Sequence, residues 1–229
     1  MPVRVTGISS MATRPVLAEL TDLYRARSSA DVAFESVGGV DAAKRVQAGE
    51  AFDVVILASD AIDKLVAGGR AVAGSKVDLV RSGVAVAVRV GAARPDIGSE
   101  DALRRAVAAA RTLGYSTGPS GVQLAKLFER WGIADEIKDR IVTAPPGVPV
   151  GSLVAKGEVE LGFQQLSELM HLPGIDVLGP LPGEIQIVTT FSGAVCAAST
   201  QPQAARELLA FMASPAAADA KRRHGMDPA

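Results

Sequence analysis

The run Val54-Val55-Ile56-Leu57-Ala58, framed by Asp53 on one side and Ser59-Asp60 on the other, narrows the fold more than any other feature of the chain. Consecutive apolar residues leave an extended segment no polar face, so a strand here is buried on both sides. Such a strand needs helices above and below it, and the rest of the chain supplies them. Val3 to Ile8 alternates apolar and polar residues as a strand does, and Ala12 to Ala26 carries Val16, Leu17, Leu20 and Leu23 at helical spacing. Ala33 to Val37 reads as a strand and Asp41 to Gln47 as a helix closed by Gly49. After a Gly-rich connection over Gly68 to Ser75, the Val/Ala run Gly83 to Val90 is a strand and the pattern begins again. Ser99 to Leu113 reads as an Ala-rich helix with Glu100-Asp101 in its first turn, Tyr115-Ser116 as a strand end, and Val122 to Trp131 as a helix. Ile141-Val142, a loop over residues 144–147, a helix near Gly151 to Lys156 and the strand Val159 to Phe163 follow. Pro173 to Gly183 is Pro/Gly-rich, Ile185 to Ala198 resumes strand character, Pro202 to Ala213 is a helix, and the polar tail from Asp219 frays or caps.

The expected class is α/β. The periodicity fits two lobes, residues 1–81 with 190–229 and residues 82–189, each a mostly parallel sheet flanked by helices and joined by two strand crossings. One continuous doubly wound sheet fits nearly as well.

Composition removes several functions. With 24 basic against 25 acidic side chains and no Lys/Arg block, nothing marks a nucleic-acid partner, and one Trp, two Tyr and six Phe give few stacking platforms. The single Cys196 forms no internal disulfide, and His171 and His224 have no metal-ligand spacing, so no metal or other cofactor is expected. No apolar run approaches the roughly 18–20 residues that span a bilayer, so membrane insertion is not expected. The N-terminus lacks a basic segment followed by an apolar one. The expectation is a cytoplasmic protein, or a periplasmic one if a leader has been removed.

In open α/β sheets ligands sit beyond the carboxyl ends of strands, where helix N-termini aim N–H groups outward. Three segments of small residues occupy such places: Ser9-Ser10-Met11-Ala12-Thr13, Val37-Gly38-Gly39-Val40-Asp41 and Thr117-Gly118-Pro119-Ser120-Gly121. An ordinary N-cap accounts for each alone; three together point to an anion held by backbone and hydroxyl donors. None is a nucleotide-binding Gly-rich loop or a hydrolase nucleophile elbow.

These residues resemble the periplasmic molybdate-binding-protein family of ABC importers, a branch of the type II solute-binding fold. The resemblance rests on Ser9-Ser10-Met11, on the segment from Ala43 through Ala48-Gly49 to Asp53-Val54-Val55, and on Lys156-Gly157-Glu158-Val159-Glu160-Leu161-Gly162-Phe163. It implies two lobes hinged by two strands and closing on a small oxyanion, with an ABC permease as partner if the chain is exported. It departs from the family at Gly38-Gly39, where members carry a Ser-Ser pair, and at Gln164-Gln165, where some have a ligand tyrosine. The implied ligand shell is Ser9, Ser10, Met11, Gly38, Gly39, Ser116, Thr117, Ser120, Gly121, Val150, Gln164, Gln165 and Gln186.

The blocks Gly162 to Leu169 and Gly179 to Gln186 also resemble a divergent branch of this fold, similar to aconitate isomerase. A small tricarboxylate suits the planar amides of Gln164, Gln165 and Gln186, with Arg81 or Arg14 as bidentate partner. Arg81 as a solvated hinge residue and Gln186 as an edge-strand side chain are the structural alternatives. Isomerisation needs a base; Glu184, His171 and Asp60 are candidates only as titratable groups near loops. The first expectation is therefore a binding protein for a small oxyanion or carboxylate, and the alternative an isomerase of an unsaturated tricarboxylate. Trp131 reads as core, and Met11 as a pocket wall or a staple on the first helix.

Overall fold

A computed structural model describes residues 3–145 and 147–229; Met1, Pro2 and Pro146, the last inside the loop read over residues 144–147, lie outside the described residues. In chain order the elements are β1 (Arg4–Ser10), α1 (Arg14–Arg25), β2 (Asp31–Val37), α2 (Gly39–Gln47), β3 (Val54–Ala58), α3 (Ser59–Ala67), β4 (Val77–Arg89), α4 (Glu100–Ala109), β5 (Leu113–Ser116) and α5 (Pro119–Arg130). There follow α6 (Ala134–Ile137), β6 (Ile141–Ala144), α7 (Val150–Lys156), β7 (Leu161–Gln165), α8 (Leu166–Leu169), β8 (Ile175–Pro180), β9 (Val188–Val195), α9 (Pro202–Ala213), α10 (Ala218–Arg223) and β10 (Asp227–Pro228). They divide into two compact units, one running to Ser82 and resuming at Thr189–Ala229, the other Gly83–Val188.

In the first unit β1 lies parallel to both β2 and β3, β3 pairs antiparallel with β9, and β4 pairs antiparallel with β10. The apolar run of β3 divides by alternation. Val54 and Ile56 pack with Leu17 and Leu20 of α1 and Leu208 and Leu209 of α9. Val55 and Leu57 pack with Val46 of α2 and Ile62 and Leu65 of α3. Successive strand residues point to opposite faces, so both faces of the sheet are covered and no position of β3 is free to be polar. Asp53, just before β3, accepts from Thr6 N, Thr6 Oγ1, Ser199 Oγ, Thr200 N and Gln201 N. It ties β1 to the loop that opens α9.

The second unit has β4 between β8 and β7, both antiparallel to it, with β7, β5 and β6 parallel to one another in that order. Its Val/Ala strand is sorted by size. Val84, Val86 and Val88 pack with Leu103 and Val107 of α4 and Leu124 and Phe128 of α5. Ala85 and Ala87 pack with Val150, Leu153 and Val154 of α7 and Leu169 of α8. Small residues on that face let α7 approach closely: a Cβ on Gly162 of β7 would stand 2.5 Å from Val154 Cγ2.

Four segments depart from the sequence reading. Residues 173–183, read as a Pro/Gly stretch, contain β8, because pairing with β4 outweighs the local composition. Ser59–Ala67, for which the sequence reading gives no element, is α3. The Ala-rich helix ends at Ala109, not Leu113; Arg140 Nη1 takes the carbonyls of Ala108 and Ala110 at 2.8 and 2.6 Å, and Leu113 already pairs with Ile141 and Leu161. The polar tail is docked: Glu19 of α1 pairs with Arg223 and, at 2.9 Å, with His224, and Asp227 pairs with Arg81.

Ile56 has no solvent exposure and packs between α1 and α9. Ile56→Ala is expected to lower unfolding stability by about 2–5 kcal/mol, read from urea denaturation as a lower midpoint with an unchanged slope.

Candidate functional site

Within the first unit the carboxyl ends of β1, β2 and β3 share one edge, since the three strands are parallel and adjacent. Ser9 and Ser10 end β1, Gly38 and Gly39 open α2, and α3 starts directly at Ser59. Ser10 Oγ accepts from Ala12 N at 3.4 Å, and a Cβ on Gly39 would lie 3.5 Å from that hydroxyl, so Ser10 and the start of α2 are neighbours. Met11 follows in a 3-10 turn and is partly exposed. Ser9 is fully buried and its hydroxyl is bonded to Ser36 Oγ at 2.8 Å, which couples β1 to β2. Asp60 lies on the exposed side of α3, 3.7 Å from Lys64. Arg14 is exposed, and Arg81 donates to the Pro228 carbonyl at 3.0 Å.

Within the second unit β5, β6 and β7 end at Ser116, Ala144 and Gln165, again on one edge. The first turn of α5 is pressed against the end of β5: Gly118 N donates to Ser116 Oγ at 3.4 Å, Ser120 is buried, and a Cβ on Gly121 would fall 1.8 Å from the Ser116 carbonyl oxygen. Only glycine permits that approach. Thr117 is exposed beside it. The side chain of Val150 is fully buried in the core with Ala85 and Ala87.

The two glutamines at the end of β7 are both buried. Gln164 Oε1 accepts from Gly151 N at 3.4 Å, and its Nε2 donates to Glu168 Oε2 at 2.7 Å. Gln186 is engaged by the neighbouring strand: its Oε1 accepts from Val84 N at 3.1 Å and its Nε2 donates to Val84 O at 3.2 Å, so the amide pairs like one more strand residue, on the residue of β4 that faces Gln165 in register. Gln186 and the exposed Glu184 also line an open cavity of about 480 Å³ with Gln123, Lys126 and Arg130, a lining that does not include Gln164 or Gln165. His171 is exposed beyond α8.

Glu168 escaped the sequence reading. Its residue keeps a small exposed fraction, but burial pushes the carboxyl up to about 7, against the opposing hydrogen bond from Gln164. A signal existed in the four-residue spacing of Gln164 and Glu168 next to a strand end, but burial, which decides the chemistry, is invisible in sequence. Cys196 is the opposite case: burial and then the Asp53 charge push its thiol up to about 12, which leaves it unreactive at neutral pH. Among the described residues no group of His, Cys, Asp or Glu is placed to hold a metal ion, and no helix is long and apolar enough to cross a membrane.

Residues 5–227 match the family model described as bacterial extracellular solute-binding protein. The chain belongs to that family. Within it the chain is 44% identical over 187 residues to an aconitate isomerase of Pseudomonas sp., spanning 80% of this chain and 70% of that protein. Solute-binding structures share its fold at lower identity. The periplasmic molybdate-binding protein of Azotobacter vinelandii superposes with a TM-score of 0.80 at 18% identity, over 97% of this chain and 98% of that one. The sulfate-binding protein of Mycobacterium tuberculosis H37Rv gives 0.80 at 15%, over 99% and 87%. The resemblance read from the sequence is thereby borne out, and the fold of this solute-binding-family protein is the type II periplasmic-binding fold.

Glu168 gives a pH signature of stability. Its carboxyl has an ordinary value of 4.5 and about 7 in the fold, so the folded state holds the proton more tightly. The resulting stabilisation is complete below about 4.5 and is lost as pH rises through about 7. Ligand-free protein is expected to melt at lower temperature at pH 7.5 than at pH 5 in this component, and Glu168→Gln to flatten that slope in paired calorimetric scans.

Proposed function

We propose that this solute-binding-family protein captures a small carboxylate anion on neutral donors at the carboxyl ends of its parallel strands. The observation that carries the reading is the character of those ends: hydroxyls, backbone N–H groups and buried amides, with the nearby arginines exposed or bonded elsewhere. An anion held by aimed dipoles needs no countercharge, and each charge-assisted hydrogen bond contributes roughly 1.5–3 kcal/mol. The glycines at 38 and 39 in the first unit and the buried amide at 165 in the second depart from a shell of hydroxyls and favour a planar carboxylate. The 44% identity to an aconitate isomerase supports the same ligand class. In the carrier reading the partner is an ABC permease and the compartment the periplasm.

A second reading follows from that relative and from Glu168: the protein isomerises an unsaturated tricarboxylate instead of only carrying it. In that case no permease is needed.

A thermal-shift panel of molybdate, tungstate, sulfate, citrate, cis-aconitate and trans-aconitate tests the ligand class that both readings share. A ligand at about 100 times its Kd adds about 2.7 kcal/mol, which for a chain of this length raises Tm by roughly 5–10 °C. The expected result is a shift with the aconitates or citrate. A shift confined to molybdate and tungstate would assign an oxyanion carrier and overturn the carboxylate reading.

A further inference from the structure

Among the described residues, three carboxyl or amide arrangements invite chemistry, the buried Asp53, the half-buried Gln186 and the Gln164–Glu168 pair, and the first two are accounted for by structure. Asp53 is saturated by five donors, and Gln186 is spent on the backbone of Val84. The third is the Gln164–Glu168 pair. Gln164 is held at both ends, by Gly151 N–H on its Oε1 and by Glu168 on its Nε2, so its amide fixes the position of Glu168 Oε2. Glu168 follows Gln165, the last residue of β7, by three positions and retains some solvent access. This places it in the short helix that starts directly at the strand end where the proposed function seats the ligand.

We infer that Glu168 is the acid–base residue that moves the allylic proton of a bound unsaturated tricarboxylate, with Gln164 as its positioning residue. This rests on the isomerase reading above and deepens it. The Glu168 carboxylate takes a proton from the methylene next to the alkene as that C–H bond breaks. The released electron pair becomes the new C=C bond, the old π pair moves to the far alkene carbon, and that carbon takes a proton back from the Glu168 carboxylic acid. One C–H bond breaks and one forms; no oxidant, reductant or co-reactant enters, and the carboxyl returns to its starting state. A base that titrates near neutrality suits both halves of the cycle.

The surroundings leave Glu168 free to do this. β7, against which α8 packs, carries no ionisable side chain. On β8 there is only Asp176, 3.9 Å from Arg94. Lys156 closes α7, the helix whose Gly151 holds Gln164, and His171 follows α8 as an exposed residue.

The test measures interconversion of cis- and trans-aconitate by proton NMR, with parallel runs in D2O to follow label entering the methylene, and thermal shift by trans-aconitate as the binding control. The expected outcome is that Glu168→Gln loses at least 100-fold in kcat and in label exchange while keeping the ligand shift, and that Glu168→Asp restores part of the rate. Wild-type kcat/KM should rise with pH to a plateau above about 7. The Gln164 bond holds the Glu168 carboxyl down, so Gln164→Met should move that rise to higher pH. A Glu168→Gln rate within threefold of wild type would overturn the role of Glu168 and leave the isomerase reading standing. A wild-type protein that leaves both aconitates unchanged would overturn both. Should Glu168→Gln fail to fold, the Gln164→Met profile decides: a limb that stays in place overturns the inference.

Discussion

Burial of β3 and β4 on both faces governs everything that follows in each unit. A strand with no solvent face must have helices on both sides, and the parallel strands of each sheet, β2, β1 and β3 in the first unit and β7, β5 and β6 in the second, are reached only by crossovers through those helices. Parallel neighbours then end on one edge, and the next helix begins there. Polar residues collect at the strand ends on that edge: Ser10, with Gly39 beside it, in the first unit, and Ser116, Gln164 and Gln165, with Ser120 opening the next helix, in the second. The division of β4 into valines against α4 and α5 and alanines against α7 adds a second constraint. It draws α7 close enough for its Gly151 N–H to meet Gln164, so side-chain volume on one strand sets the position of a polar group on another.

What could be read from the sequence, and what could not, divides along the same line. The continuous run from Val54 and the Val/Ala run from Gly83 announce their burial because both faces must be apolar. The resemblance through Ser9-Ser10-Met11 and the segment ending at Asp53 held for the same reason: it follows local strand–helix grammar. β8 was hidden because Gly174, Gly179 and Pro180 obscure a strand that forms through its pairing with β4. Ser9 and Val150 looked like ligand residues by position, yet each is fully buried, one bonded to Ser36 and the other packed in the core. Position along the chain identifies an edge; it does not say which side chains at that edge turn outward.

Asp53 and Glu168 show how the count of donors separates a structural carboxyl from a reactive one. Burial pushes both upward. Around Asp53 the hydrogen bonds from Thr6, Ser199 and Gln201 outweigh it and hold the carboxyl below its ordinary value, so it stays ionised and serves as a knot between β1, β3 and α9. Glu168 receives one bond, from Gln164, and burial wins. A carboxyl left near neutrality in this way stores a proton at little free-energy difference between its two states.

An anionic ligand acts on that balance in one direction. Negative charge brought beside Glu168 disfavours its ionised form and moves the carboxyl further upward. The repulsion weakens binding, but the same shift makes the carboxylate that does form a stronger base toward a methylene proton. A site that only carried a carboxylate would gain affinity from a lysine or arginine at this position, or from a neutral side chain. A site that must also move a proton has reason to keep an acid there. The chain places Gln164 beside Glu168, where it orients the carboxyl without neutralising it, as the proposed proton transfer requires.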